Sequence, residues 1–284
     1  MILVVCSVLD AAGMNISERL REIIDFKEAE AKDREDRRWV GKIAEKEVLL
    51  VHRREDILYC NDLEKFHRPE LIIFASRHSS ATGEKTLTAH IPGNFGEAKY
   101  GGFPRSLSIA PSHHLKAALL KLYETKNKLE LNYEVSQEQT HHGPTPLCPS
   151  FFIEIGSSEK QWKDENAGSA IAQAIIYVLH LERKDWHIAA GFGGGHYAPK
   201  FSEINLKTDT AVGHIASKYA VPLLDDFMLK QIVSRTLGKL NSFIIDWKGI
   251  KSEERSRIIQ FAENNGIETL KTKDVLNLNT LNTL

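Results

Sequence analysis

The stretch QTHHGPT, residues 139–145, sets two imidazoles side by side, His141 and His142, just ahead of a Gly-Pro step. Histidine binds metals through a neutral ring nitrogen and moves protons near neutral pH. Neighbouring side chains on a regular strand point to opposite faces, so both rings can serve one pocket only where the backbone breaks. Other runs also join an apolar strand to polar chemistry. FASRHSS ends in Arg77, His78, Ser79 and Ser80, and TLTAHI carries Thr88 and His90. FFIEIGSS holds Glu154, which alternates with Ile153 and Ile155 and so points away from them. A buried carboxylate is costly unless paired, which favours a functional role. IAAGFGGGH closes with Gly193, Gly194, Gly195 and His196, and VGHIASKY adds His214 and Lys218. In open α/β sheets ligands gather at the carboxyl ends of strands, so these ends are expected to converge on one site.

Several chemistries are disfavoured by the same reading. No HExxH, GxSxG or GK[ST] motif occurs; Gly191 and Gly193 begin a GxGxxG, but His196 takes its last place and Pro199 follows soon after. What survives is a glycine run that lets backbone approach a ligand closely. Cys148, in PLCPS, lies near the histidine pair but has no helix N-terminus to activate its thiol. The histidine spacings match no metal signature. His52, His67, His113, His114, His180 and His187 read as packing or surface groups. The GSS turn before a helix could hold an anion, or it is an ordinary helix start.

The elements that must position these groups follow from periodicity. ILVVCSV (2–8), EVLLVHR (47–53), LIIFASRH (71–78) and SFFIEIGSS (150–158) read as buried strands, with helix NISERLREII after the first. Residues 78–111 are rich in Gly, Ser, Thr and Pro, an elaborated loop region in which Phe95, Tyr100 and Phe103 favour order. Ser112 is expected to cap a helix over HHLKAALLKLYETKN. The longest helix is expected from about 159 to 181, with Ser158 and Gln161 as a capping box. Strand and helix then alternate to IETLK near the end. The pattern is one α/β domain, 1–284, with a mixed, mainly parallel sheet flanked by helices.

Composition sets outer limits. The chain has 284 residues, 42% of them hydrophobic, enough for a real core. Its net charge of −1 gives no global field for nucleic acid, though a local patch can hide in a neutral total. Three cysteines without a CxxC pair point to a reducing, cytoplasmic setting. The N-terminus lacks a basic region before its apolar run, and AIAQAIIYVLHL is too short to span a bilayer. With no coiled-coil heptads, a monomer without an obligate protein partner is expected.

Four motifs, in order, carry a resemblance: ASRHSSATGEKTLTAHIPGNFGEAKYGG, THHGPTPLCPSFFIEIGSSEKQW, AAGFGGGHYAPKFSE and VGHIASKY. Together they resemble the D-aminoacyl-tRNA deacylases of the archaeal and plant type, over essentially the whole chain. The resemblance implies hydrolysis of the ester joining a D-amino acid to the tRNA 3′ end, zinc dependence, and a fold akin to phosphorylases and peptidyl-tRNA hydrolases. On the matching motifs, chemistry nominates His78, His141, His142, Glu154 and His196 as catalytic, and His90, His141 and His142 as zinc ligands. Ser79, Thr88, Phe95, Tyr100, Gly193, Gly194, Gly195, His214 and Lys218 are the expected substrate contacts. Lys85, Lys99, Arg105, Lys200 and Lys218 are candidates for tRNA phosphates, and Phe103 and Tyr197 join Phe95 and Tyr100 as candidates to stack the terminal adenine. The competing classes are a nucleoside phosphorylase or nucleosidase and a non-catalytic tRNA-binding module.

Overall fold

The computed structural model describes residues 1–80, 83–182 and 184–280. Strand β1 (Ile2–Ser7) is buried throughout and is followed by α1 (Ala11–Ile23), whose first turn is capped by the Asp10 carboxylate. Next come β2 (Lys27–Ala29), β3 (Glu35–Ile43), β4 (Lys46–Arg53), the single turn α2 (Leu63–Phe66) and β5 (Leu71–Ser79). The 78–111 region contributes β6 (Thr86–His90), β7 (Gly93–Asn94) and β8 (Ser106–Leu107); its Ala81 and Thr82 lie outside the described residues. Then follow α3 (Ser112–Lys128), β9 (Glu134–Gln137), β10 (Ser150–Ser157), α4 (Glu159–Trp162) and α5 (Glu165–Leu179). The last part is β11 (His187–Phe192), α6 (Pro199–Lys207), β12 (Thr210–Ala216), α7 (Asp226–Ser234), β13 (Ser242–Ile245), α8 (Ser252–Asn264), β14 (Glu268–Lys271) and α9 (Thr272–Thr280).

Eight strands form one sheet in the order β2-β3-β4-β1-β5-β10-β6-β9, and four form a second, β12-β11-β13-β14. The mixed, mainly parallel sheet flanked by helices is the architecture read from the sequence. The strands from residue 187 onward, however, build a parallel sheet of their own instead of extending the first. Helices α1, α3 and α5 pack on one face of the large sheet against Val4, Ile73, Ile153 and Ala89. The small sheet is covered by α6 and α9 on one side and by α7 and α8 on the other. Gln137 ties the sheets together, its side-chain amide donating to the carbonyls of Val212 and Gly213 at 3.1 and 2.8 Å.

Three local expectations are corrected. The helix expected over 159–181 is two, because Asp164 breaks the first turn away and caps α5 by accepting from Asn166 and Ala167 N–H groups. Ser158 makes no cap; its hydroxyl donates to Gln161 Oε1 instead, so the GSS junction opens only a four-residue helix. Ser112 is the first residue of α3 and caps nothing. β3 escaped the sequence reading because its charged residues dilute the apolar alternation (EDRRWVGKI).

Candidate active site

Strand register builds the floor of the site. β10 pairs β5 in parallel and β6 antiparallel, which places Phe74, Phe152 and His90 in one row, Ser76, Glu154 and Thr88 in the next, and His78, Gly156 and Thr86 in the third. Partners across a ladder share a face, so His78, His90 and Glu154 project from the face opposite the α1–α5 core. The cavity they border also takes in Ser7, Leu9 and Asp10 at the carboxyl end of β1 and Ser79 at that of β5, so the site lies where the sequence reading expected it, toward the strand ends. Gly156 is part of the design: a Cβ there would stand 2.2 Å from Thr86 Oγ1 and 3.2 Å from the His78 ring.

The wall comes from residues 138–143, which leave β9 and are gripped by three elements. Gln139 N–H donates to His196 O, Thr140 N–H to Ile215 O, and Gly93 N–H to the His142 carbonyl at 2.8, 2.9 and 2.7 Å. His142 adopts left-handed backbone, φ 44°, and this ends the alternation one residue before the Gly-Pro step. Both rings therefore turn to the same side, with centroids 4.3 Å apart, and both contact His90 at 4.2 and 4.8 Å. Gly143 presses against the 101–102 loop, where a Cβ would come within 2.1 Å of Gly102 N. The Gly193–Gly195 run turns the chain after β11 and returns His196 to the cluster.

At the centre is a group the sequence reading missed. Glu138 is fully buried, with Oε1 3.1 Å from His78 Nδ1 and Oε2 3.0 Å from His196 Nε2 and 3.6 Å from His141 Nε2. Its signal was its place three residues before His141 in SQEQTHHG, hidden by the polar residues around it. Glu154 accepts from Ser76 Oγ at 2.6 Å and lies 3.5 Å from His90 Nε2 and 3.8 Å from His78 Nδ1. The two carboxylates are driven apart. Burial, reinforced by the negative charge of Glu138, raises Glu154 to about 8. Burial would raise Glu138 too, but the histidines His196, His90 and His78 around it outweigh that and hold it at about 2. The surroundings thus favour the ionised form of Glu138 and the protonated form of Glu154, the pattern that divides base from acid in catalytic sites.

Three imidazoles fit a metal ion. His141 Nδ1 lies 2.8 Å from Gln139 O, and His142 Nδ1 lies 2.7 Å from Gly143 O. Only an N–H makes such a contact with a carbonyl, so each Nε2 keeps its lone pair for a ligand. His90 Nε2 is buried without a hydrogen-bond partner. Burial keeps all three neutral, pushing His90 to about 4, His142 to about 3 and His141 well below its ordinary value. Their ligand atoms gather within 4.8 Å of one another, as do those of the sets His78–Glu138–His196 and His90–Glu138–Glu154. Glu138 faces His78 Nδ1 with one oxygen and His196 Nε2 with the other, at 3.1 and 3.0 Å. These clusters could hold a metal ion.

The other expected residues divide. Ser79 and Tyr100 line the cavity of 310 Å³ that reaches Glu154, His78, His141, His142 and His196. Phe95 is buried but lines an adjoining cavity of 610 Å³, which Tyr100 also borders. Thr88 is fully buried beside Glu154. His214 is not brought to the cluster: its ring nitrogens meet Thr140 Oγ1 and Arg235 O, both at 3.2 Å, in a buried structural contact. Gly193, Gly194 and Gly195 line neither cavity and act through the path of the chain. Lys218 stacks over Tyr219 at 5.0 Å. Arg105 and Lys200 are held by Asp225 and Asp246, each at 2.6 Å. The Cys148 thiol is pushed up by burial to about 12 and donates to Pro69 O, which suits packing and not nucleophilic attack.

An α/β sheet that focuses imidazoles and two unlike carboxylates into a cavity is the framework of a hydrolytic enzyme. The D-aminoacyl-tRNA deacylase family profile matches residues 65–270. The D-aminoacyl-tRNA deacylase of Thermococcus onnurineus is 43% identical, over 92% of this chain and 96% of its own length. That of Archaeoglobus fulgidus is 37% identical, over 96% and 97%. A crystal structure described as a conserved protein of unknown function superposes with a TM-score of 0.89 at 36% identity, covering 98% of this chain and 97% of its own. The chain belongs to the D-aminoacyl-tRNA deacylase family.

Proposed function

We propose that the buried His–Glu cluster is where this chain hydrolyses D-aminoacyl-tRNA, releasing free D-amino acid and tRNA. The family match supports the reaction, and the observation that carries the site is the convergence of five histidines on Glu138 and Glu154. An aminoacyl ester is already activated, so catalysis needs a positioned water and a stabilised oxyanion. His78 is the base in this reading: Glu138 orients it through Nδ1 at 3.1 Å, and it borders the cavity. Its Nε2 meets the Tyr197 hydroxyl at 3.0 Å. The imidazole therefore takes the proton of the attacking water through that hydroxyl, which gives its own proton to Nε2 and receives the water's, and the carbonyl carbon becomes tetrahedral. Glu154, whose burial favours the protonated form, gives its proton toward the ribose oxygen as the ester C–O bond breaks. His196 stands on the other Glu138 oxygen and shields that charge. His90, His141 and His142 would hold zinc, which when bound supplies Lewis acidity toward the ester carbonyl and water. In this reading the chain works on tRNA in the cytoplasm as a monomer, in keeping with its three cysteines without a CxxC pair. No helix among the described residues is long and apolar enough to cross a membrane.

The test is release of D-tyrosine from D-Tyr-tRNA, with L-Tyr-tRNA alongside. Rapid D-selective release is expected. Phosphate-dependent cleavage of a nucleoside with no deacylation would select a phosphorylase instead, and stoichiometric tRNA binding without turnover a binding module.

A further inference from the structure

A hydrolysed ester has two halves, so its cleavage site must open onto two spaces. Two cavities meet at the histidine cluster. The one of 310 Å³ reaches down to the buried strand residues Ser76 and Glu154. The one of 610 Å³ leads past Phe95 to Ser217 and Tyr219. Their linings share Tyr100, His141 and His142, so the twin imidazoles form the wall between them.

The larger cavity has features that the proposed chemistry does not use. Tyr100 and Tyr219 both line it, yet they are 66% and 69% exposed. Aromatic rings held open at a rim are platforms on which nucleic-acid bases stack. Ser217 is fully buried and its hydroxyl has no hydrogen-bond partner. A buried polar group left unsatisfied is costly and calls for an explanation, and a polar ligand edge in the cavity would supply the missing partner. Lys218, over the Tyr219 ring, adds positive charge at the same rim. Aromatic faces, one directed hydroxyl and a cation are the complement of a purine nucleoside that continues into a phosphate chain. Size agrees: the acyl half ends at its side chain and suits the cavity of 310 Å³, whereas the nucleoside half, which must leave room for the rest of the tRNA, suits that of 610 Å³.

Resting on the deacylase reading, we infer that the 610 Å³ cavity receives the terminal nucleoside of the tRNA, with Tyr100 and Tyr219 stacking the base and Ser217 hydrogen-bonding it. The 310 Å³ cavity receives the D-aminoacyl group. Tyr219 and Ser217 are positioning residues for the nucleoside half.

The experiment compares D-tyrosyl-adenosine with D-tyrosyl-ribose, which lacks the base, in the unmodified enzyme, Tyr219→Ala and Ser217→Ala. Binding of the trinucleotide CpCpA is measured by calorimetry in parallel. The unmodified enzyme is expected to prefer the adenosine ester by at least about 10-fold. Tyr219→Ala should raise KM for D-Tyr-tRNA about 10-fold, weaken CpCpA equally, and erase the preference for the base. Ser217→Ala should act in the same direction more weakly. A merely structural role would slow both esters alike. Unchanged KM and CpCpA affinity in Tyr219→Ala, or equal losses on the two esters, would overturn the assignment. CpCpA binding that depends on Tyr219 but comes without turnover would uphold the subsite and overturn the reaction instead.

Discussion

Glu138 and His142 were brought together by one turn of irregular chain: the carboxylate ends the extended run of β9, and four residues later the left-handed backbone of His142, φ 44°, folds its ring back over His90. The cluster exists because that short segment is pinned to His196, Ile215 and Gly93 at the same time.

Removing the acid at the centre should remove the reaction. Glu138→Gln keeps the shape but neither orients His78 as an ionised group nor balances His196. Deacylation of D-Tyr-tRNA is expected to fall at least about 100-fold, with the melting temperature nearly unchanged. Single-turnover kinetics and circular dichroism check this. Retention of more than a tenth of the activity would falsify the central role.

The metal assignment makes a separate prediction. His142→Ala and His90→Ala should each lower bound zinc, read by elemental analysis, and reduce turnover strongly. His113→Ala should do neither, because His113 contacts the Trp186 carbonyl away from the cluster. If chelation strips all metal and activity persists, zinc has no part in the reaction.

Two glycines in the same pair of motifs should behave oppositely. At Gly143 a Cβ would collide with Gly102 N, whereas at Gly195 nothing stands within 4 Å. Gly143→Ala is expected to cost about 2–3 kcal/mol of stability and to slow deacylation by misplacing the twin histidines. Gly195→Ala should leave stability and kcat/KM near the starting values. Lost activity in Gly195→Ala with intact stability would return that glycine to the substrate contacts.

Acid should unfold the chain through histidines outside the site. His52 and His214 are buried, and burial pushes each down to about 4. In the unfolded chain each titrates near 6.5. Between those values the unfolded state binds more protons, so stability is full above about pH 6.5 and is lost as pH falls toward 4. Each ring contributes up to roughly 3 kcal/mol to that loss. Thermal melts at pH 7 and 4.5 should differ clearly, and His52→Gln should narrow the gap. A melting temperature flat across this range would contradict the prediction.

Much of this was legible in the sequence because it is local. Strand alternation placed Glu154 off the Ile153–Ile155 face, and the register of β10 with β5 and β6 bears that orientation out. Branched apolar runs located the central strands. What local pattern could not give was partnership across distance. Glu138 looked like one more polar residue until His78, His141 and His196 closed around it. His214 carried the same glycine- and hydroxyl-rich setting as His196, yet Thr140 and Arg235 hold it in a structural contact. The doublet in QTHHGPT determined that two imidazoles would stand near a chain break. Only the tertiary structure decided that the break falls at His142 itself, because three backbone hydrogen bonds from separate elements fix the path of a segment whose own residues allow several.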